Sequence, residues 1–138
     1  MTVLDVSGAA LDRARLRLGP DSETPRWLEA DVTQDWTIAP VDIWHDRAVF
    51  HFLTDPADRA AYLDHLAATV KSGGHVIIAT FAVDGPERCS GLPVVRYSPE
   101  ALAREFRDHA TPIRTVPERH VTPTGGVQAF SYSLMKMR

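Results

Sequence analysis

The chain has 138 residues, 44% of them hydrophobic and 24% charged, enough to bury one core and too few for two, so a single domain over residues 1–138 is expected. Its 15 Lys and Arg are scattered against 18 Asp and Glu for a net charge of −3, which leaves no cationic stripe and no expectation of a nucleic-acid partner. No apolar run reaches the roughly 18 residues of a membrane span, Met1-Thr2-Val3-Leu4-Asp5 lacks the basic start of a signal peptide, and the single Cys89 closes no internal disulfide, so a cytoplasmic location away from membranes is expected.

Strand and helix patterns alternate along the chain. Thr2-Val3-Leu4-Asp5-Val6-Ser7 is a short apolar run carrying a carboxylate, and Ala9 to Gly19 reads as a helix closed by glycine. After the break at Gly19-Pro20-Asp21-Ser22, Trp27 to Val32 reads as a second strand ending at Asp31, and Val41 to Asp46 as a third that again ends in an acid. Thr54-Asp55-Pro56 starts a helix, because a capping oxygen precedes proline in the first turn; Leu63, Leu66 and Val70 share one face, and the helix is expected to end at Ser72-Gly73-Gly74. His75 to Ala82 is nearly all apolar and β-branched, as a central parallel strand requires. The polar loop Asp84 to Pro93 is long for a plain connection and suggests a lid or binding segment. Ser98-Pro99-Glu100 caps a short helix over Ala101 to Phe106, and two strands, about Ile113 to Val121 and Val127 to Met135, form a terminal hairpin around Pro123-Thr124-Gly125-Gly126.

Several residues carry chemistry on either of two readings. Asp5 stands where doubly wound folds hold a ribose diol, and equally where a carboxylate favours a helix start. Asp31 has the same ribonucleotide reading beside that of a strand-end turn former. His45, Asp46 and His51 offer three ligands for Zn²⁺ or another divalent ion, with Cys89 and His120 as further candidates, although the spacing matches no standard zinc motif. Arg47 suits bidentate contact with an anionic substrate group, or a plain ion pair. Arg88 beside Cys89 would favour a reactive thiolate, yet no general base is evident near it. Trp27, Trp36 and Trp44 read as core or cleft-lining aromatics, and Arg96 and Tyr97 as candidates for the substrate side of a cleft.

Four segments together resemble a known family. Val3-Leu4-Asp5-Val6-Ser7, Glu29-Ala30-Asp31-Val32, Val41 to Leu53, and Lys71-Ser72-Gly73-Gly74-His75-Val76-Ile77-Ile78 occur in the order found in class I S-adenosylmethionine-dependent methyltransferases, followed by a hairpin like the family's sixth and seventh strands. The resemblance implies an α/β, truncated Rossmann-like methyltransferase fold, its sheet mostly parallel with a C-terminal antiparallel hairpin. It implies S-adenosylmethionine as cofactor and methyl transfer to a small molecule, with Asp5 on the ribose, Asp31 and the amide of Val32 on the adenine, and His51 and Arg47 as catalytic residues facing the acceptor. The family's first strand and Gly-x-Gly-x-Gly turn have no counterpart in this sequence, so cofactor affinity is expected to be weak or absent. The place of that strand would be taken by the Thr2 strand pairing directly with the Ile43 strand, or by a second copy in a homodimer with exchanged elements. Two alternatives stand beside methyl transfer: a metal-dependent hydrolase of esters or phosphoesters using His45, Asp46 and His51 on a divalent ion in the vacated cleft, and a non-catalytic dimerising remnant.

Overall fold

The computed structural model describes residues Met1–Arg138, and these divide into two compact units, Met1–Ile38 and Ala39–Arg138, where composition alone suggests one domain. No helix is long and apolar enough to cross a membrane.

The first unit is a βαβ element. Strand β1 (Thr2–Asp5) is followed by helix α1 (Gly8–Leu18), a 3-10 turn over Gly19–Glu23, and strand β2 (Arg26–Glu29), which pairs parallel to β1 from Thr2 opposite Arg26 to Asp5 opposite Glu29. Ser7 caps α1, its hydroxyl accepting from the Ala10 N–H at 3.2 Å, and Gly19 ends it with φ of 58°, a conformation glycine takes without a Cβ penalty. Strand β2 is earlier and shorter than the sequence suggests. Asp31 lies beyond its end, because the Asp31 carboxylate accepts from the Thr33 N–H and bends the chain into a turn.

The second unit holds a four-stranded sheet in the order β3-β4-β8-β7, made of β3 (Val41–Arg47), β4 (Val70–Phe81), β7 (Ala110–Val121) and β8 (Val127–Met137). Strands β3 and β4 are parallel, joined by a 3-10 turn at Phe50–Phe52 and helix α2 (Pro56–Thr69); β8 and β7 continue the sheet antiparallel. A two-residue ladder, β5 (Arg88–Cys89) with β6 (Leu92–Pro93), folds the long loop on itself before helix α3 (Pro99–Phe106). The architecture is therefore α/β, with parallel pairs and an antiparallel C-terminal hairpin. Asp55 and Ser98 cap α2 and α3 as their sequences require, accepting from the Ala57 and Ala101 N–H groups.

Helix α2 stops at Thr69 and not at the glycine pair. Two β-branched residues, Thr69 and Val70, lower the helical preference there, and Val70 already pairs with Val41. The register then slips, the step from Val41 to Ile43 on β3 facing the longer step from Val70 to His75 on β4. Gly73 absorbs this bulge at φ of 77°, and at Gly74 a Cβ would lie 2.8 Å from the Asp42 carbonyl oxygen.

The core of this unit gathers Phe50, Tyr62, Leu66, Val76, Ile78, Leu102, Phe106 and Met135, all essentially inaccessible. Phe50 is its hub, its ring 5.0 Å from Tyr62, 5.0 Å from Phe106 and 5.7 Å from Tyr97. Alternation along β4 sends Ala79 and Phe81 the other way, where they pack with Phe130 against Ala48, Cys89, Val94 and Tyr132. The two outer edges of the sheet differ. Edge strand β7 carries Pro112 and Pro117, which donate no ladder hydrogen bond, whereas β3 has no proline, pairs only with β4, and leaves Ile43 62% exposed. Within the first unit, strand β1 pairs with β2 in a two-stranded sheet.

Candidate functional site

In open α/β sheets, ligands gather beyond the carboxyl ends of parallel strands. The carboxyl end of β3 is held by one buried acid. Asp46 Oδ1 accepts from the Val49 N–H at 2.9 Å, and Oδ2 accepts from the Phe50 N–H at 3.0 Å and from the Tyr62 hydroxyl at 2.7 Å. Trp44 Nε1 donates to that hydroxyl at 2.8 Å, extending the chain of hydrogen bonds along the strand. Burial pushes the Asp46 carboxyl up, with the bonds from Tyr62, Val49 and Phe50 pulling it back, and burial beside the Asp46 charge pushes the Tyr62 phenol up. The carboxylate sets the tight turn after the strand, in which Ala48 takes φ of 65°, a left-handed conformation that alanine adopts only when its surroundings impose it.

That turn delivers His51 into the interior. Its Nδ1 accepts from the Phe81 N–H at 3.2 Å, its carbonyl accepts from the Val95 N–H at 2.8 Å, and its ring lies 4.7 Å from both Phe52 and Phe81. Because Nδ1 is the acceptor, the neutral ring carries its proton on Nε2, which is buried without a partner. Burial lowers the His51 pKa from 6.5 to about 4. Arg47, one residue before the left-handed turn, is exposed; its Nε donates to the Tyr132 hydroxyl at 2.7 Å and its guanidinium stands 4.7 Å over the Phe130 ring.

The proposed metal ligands do not come together, and no group of three or more His, Cys, Asp or Glu in the structure is arranged to hold an ion. His45 and Asp46 are successive residues on a strand and point to opposite faces, His45 exposed and Asp46 buried; both carboxylate oxygens of Asp46 are committed, and His51 Nδ1 is occupied. Cys89 packs against the Phe81–Phe130 cluster and the His120 ring lies 6.2 Å from Phe130, without completing a ligand set. Tyr97, read as a substrate-side residue, is 4% exposed and belongs to the core, while Arg96 turns to the Gly85 carbonyl and Glu87. The sequence reading missed Tyr62 and Tyr132. Tyr62 lies among core positions of α2, and Tyr132 occupies an alternating position on β8 that only the β4–β8 register brings to Arg47.

In the first unit, Asp5 is half-buried at the end of β1. Its Oδ1 accepts from the Ser7 N–H at 2.8 Å and its Oδ2 has no partner in the chain. Asp31 Oδ1 accepts from both the Thr33 N–H at 2.8 Å and the Thr33 hydroxyl at 2.7 Å, which hold its pKa below the usual carboxylate range and leave Oδ2 open. The Val32 carbonyl accepts from Trp36 Nε1 at 3.2 Å, while its N–H donates to no group of the chain.

No protein-family model and no curated protein sequence matches the chain. Solved structures do. The chain is similar to the N-methyltransferase NodS from Bradyrhizobium japonicum WM9 in complex with S-adenosyl-l-homocysteine, at a TM-score of 0.73 and 18% identity over 99% of this chain and 65% of that one. It is also similar to Burkholderia thailandensis 1,6-didemethyltoxoflavin-N1-methyltransferase with bound 1,6-didemethyltoxoflavin and S-adenosylhomocysteine, at a TM-score of 0.72 and 22% identity over 99% of this chain and 60% of that one. The glycopeptide N-methyltransferase MtfA complexed with S-adenosyl-L-methionine aligns at a TM-score of 0.69 and 16% identity over 99% and 72%. The chain thus spans less than two thirds of the first two proteins. Its fold is that of the S-adenosylmethionine-dependent methyltransferases.

Proposed function

We propose that the chain takes part in methyl transfer from S-adenosylmethionine to a small-molecule nucleophile. The observation that carries this reading is the match of 99% of its length to methyltransferase structures, two of them holding S-adenosylhomocysteine. When bound, the cofactor supplies an electrophilic methyl group on a positively charged sulfur. The chain's own residues suit its nucleoside half. The free Oδ2 of Asp5 can accept from ribose hydroxyls, and the free Oδ2 of Asp31 and N–H of Val32 can meet an adenine edge as acceptor and donor. A low pKa keeps Asp31 ionised for that task. Arg47 and His51 serve the acceptor, His51 as a positioning residue whose proton stays on Nε2 and whose burial keeps the ring neutral at physiological pH. A chemical-shift titration with S-adenosylhomocysteine is expected to show saturable binding at about 10 μM to 1 mM, weakened about tenfold by Asp5→Ala. No binding at millimolar ligand would remove methyl transfer and leave the non-catalytic reading.

Assembly belongs to the same proposal. The β3 edge with exposed Ile43 carries no proline, in contrast to the β7 edge on the opposite side of the sheet, and this supports a homodimer in which a second copy adds or exchanges a strand at β3. Light scattering at micromolar concentration is expected to give twice the 15.3 kDa of one chain, reduced to a single chain mass by Ile43→Lys. A soluble wild-type monomer would defeat this part.

A further inference from the structure

We propose that Arg47, Tyr132 and Phe130 form an oxyanion subsite for the methyl acceptor, so that the acceptor carries a carboxylate or a phosphate group; this rests on the methyltransferase reading above. Three observations converge on it. The first is how Arg47 is satisfied. Like most arginines of the chain Arg47 forms no ion pair, but its side chain is held by two uncharged groups, the Tyr132 hydroxyl at 2.7 Å and the Phe130 ring, so its charge is uncompensated within the chain.

The second is orientation. Donation through Nε fixes one edge of the guanidinium, and its central carbon lies 4.7 Å over the Phe130 ring, which restrains the group further. The opposite edge, with both Nη groups, has no partner and is solvent-exposed, which is the fork that receives two oxygens of one anion. The Tyr132 hydroxyl spends a lone pair on Arg47 and keeps its own proton to donate, adding a third donor beside the fork. A guanidinium already fixed in this way loses little freedom on binding.

The third is the backbone. Arg47 sits at the carboxyl end of β3, paired opposite Ala79, and the next residue is the left-handed Ala48, whose N–H donates to the Ala79 carbonyl at 2.9 Å. Asp46 on the other side ties the turn down by its three hydrogen bonds. Strain of this kind persists where the surroundings impose a geometry, and here the geometry it imposes is that of Arg47.

The test follows the Arg47 Nε–H signal of the full chain by nuclear magnetic resonance during titration with inorganic phosphate and, separately, with acetate. One of the two is expected to shift the Arg47 and Tyr132 signals saturably, and which one does so distinguishes a phosphate-bearing from a carboxylate-bearing acceptor. Arg47→Lys should weaken that binding about tenfold or more, because a point charge replaces the fork, and Tyr132→Phe, which keeps the ring, by about three- to tenfold. Shifts that never saturate with either anion, or binding that Arg47→Lys leaves unchanged, would overturn the subsite. S-adenosylhomocysteine is titrated on the same samples. Equal affinity in wild type and Arg47→Lys is expected; loss in the variant would mean that Arg47 holds the cofactor's own carboxylate, and would also overturn the subsite. Absence of S-adenosylhomocysteine binding in the wild-type chain would sink the methyltransferase reading and the word acceptor with it, while the anion titrations still decide whether the oxyanion site exists.

Discussion

Asp46→Ala is expected to lower stability by about 3 kcal/mol or more, since it leaves three buried or half-buried donors facing a void at roughly 1 kcal/mol or more each. Those donors are the Val49 and Phe50 N–H groups and the Tyr62 hydroxyl, and the last also orients Trp44. Asp46→Asn keeps the shape but turns an amide NH₂ toward a donor, so it should lose about 1 to 3 kcal/mol. The sign with pH follows from the raised Asp46 pKa. Protonation is easier in the folded state, so this group favours folding most below the unfolded value and loses that contribution as pH rises through the folded one. The measurement is the urea midpoint at pH 7 with the slope unchanged. A loss below about 1 kcal/mol for Asp46→Ala would mean that the turn at Ala48 holds without the carboxylate. If the network does hold the turn, the same variant should also broaden the Arg47 Nε–H signal, linking the buried acid to the exposed fork.

What was legible in the sequence was mostly local. The run from His75 declares a buried strand because every residue after the histidine is apolar or β-branched, and Asp55-Pro56 declares a helix start because the cap and the fixed proline φ act within one turn. The glycine pair at Gly73-Gly74 looked like a helix stop, yet it serves a bulge, because the pairing of Val70 with Val41 is a long-range fact that no local period carries. Asp46 and His51 are chemically apt metal ligands by type. What removes them from that role is partners far along the chain, Tyr62 sixteen residues and Phe81 thirty residues away. The sequence offers Arg47 as a candidate for anion contact, but the separation of 85 residues to Tyr132 puts its orientation beyond any motif. Of the two meanings the sequence allows for Asp5 and Asp31, the structure displays the local one: each uses one oxygen as a turn former and keeps the other free.

His51 should make the fold acid-sensitive in a way that a single substitution isolates. Its pKa is about 4 in the folded chain against 6.5 for an ordinary histidine, because charging the ring would place a cation among Phe52 and Phe81 with no counter-charge beside it. The unfolded chain therefore binds the proton more readily between those two values. Stability from this group is complete above pH 6.5 and is lost as pH falls toward 4, by on the order of 3 kcal/mol. His51→Phe removes the titration, and it also leaves the Phe81 N–H without its acceptor, which should cost about 1 to 3 kcal/mol at pH 7. Wild type should thus be the more stable protein at pH 7, and its advantage should shrink by about 3 kcal/mol and could reverse near pH 4. Asp46 pulls in the opposite direction, but it is present in both proteins and cancels in the difference. Urea unfolding of the pair at several pH values measures this. A stability difference that stays flat from pH 7 to pH 4 would show that the ring is accessible to protons in the folded state, and His51 would then be free to take up a proton during methyl transfer instead of holding one fixed on Nε2.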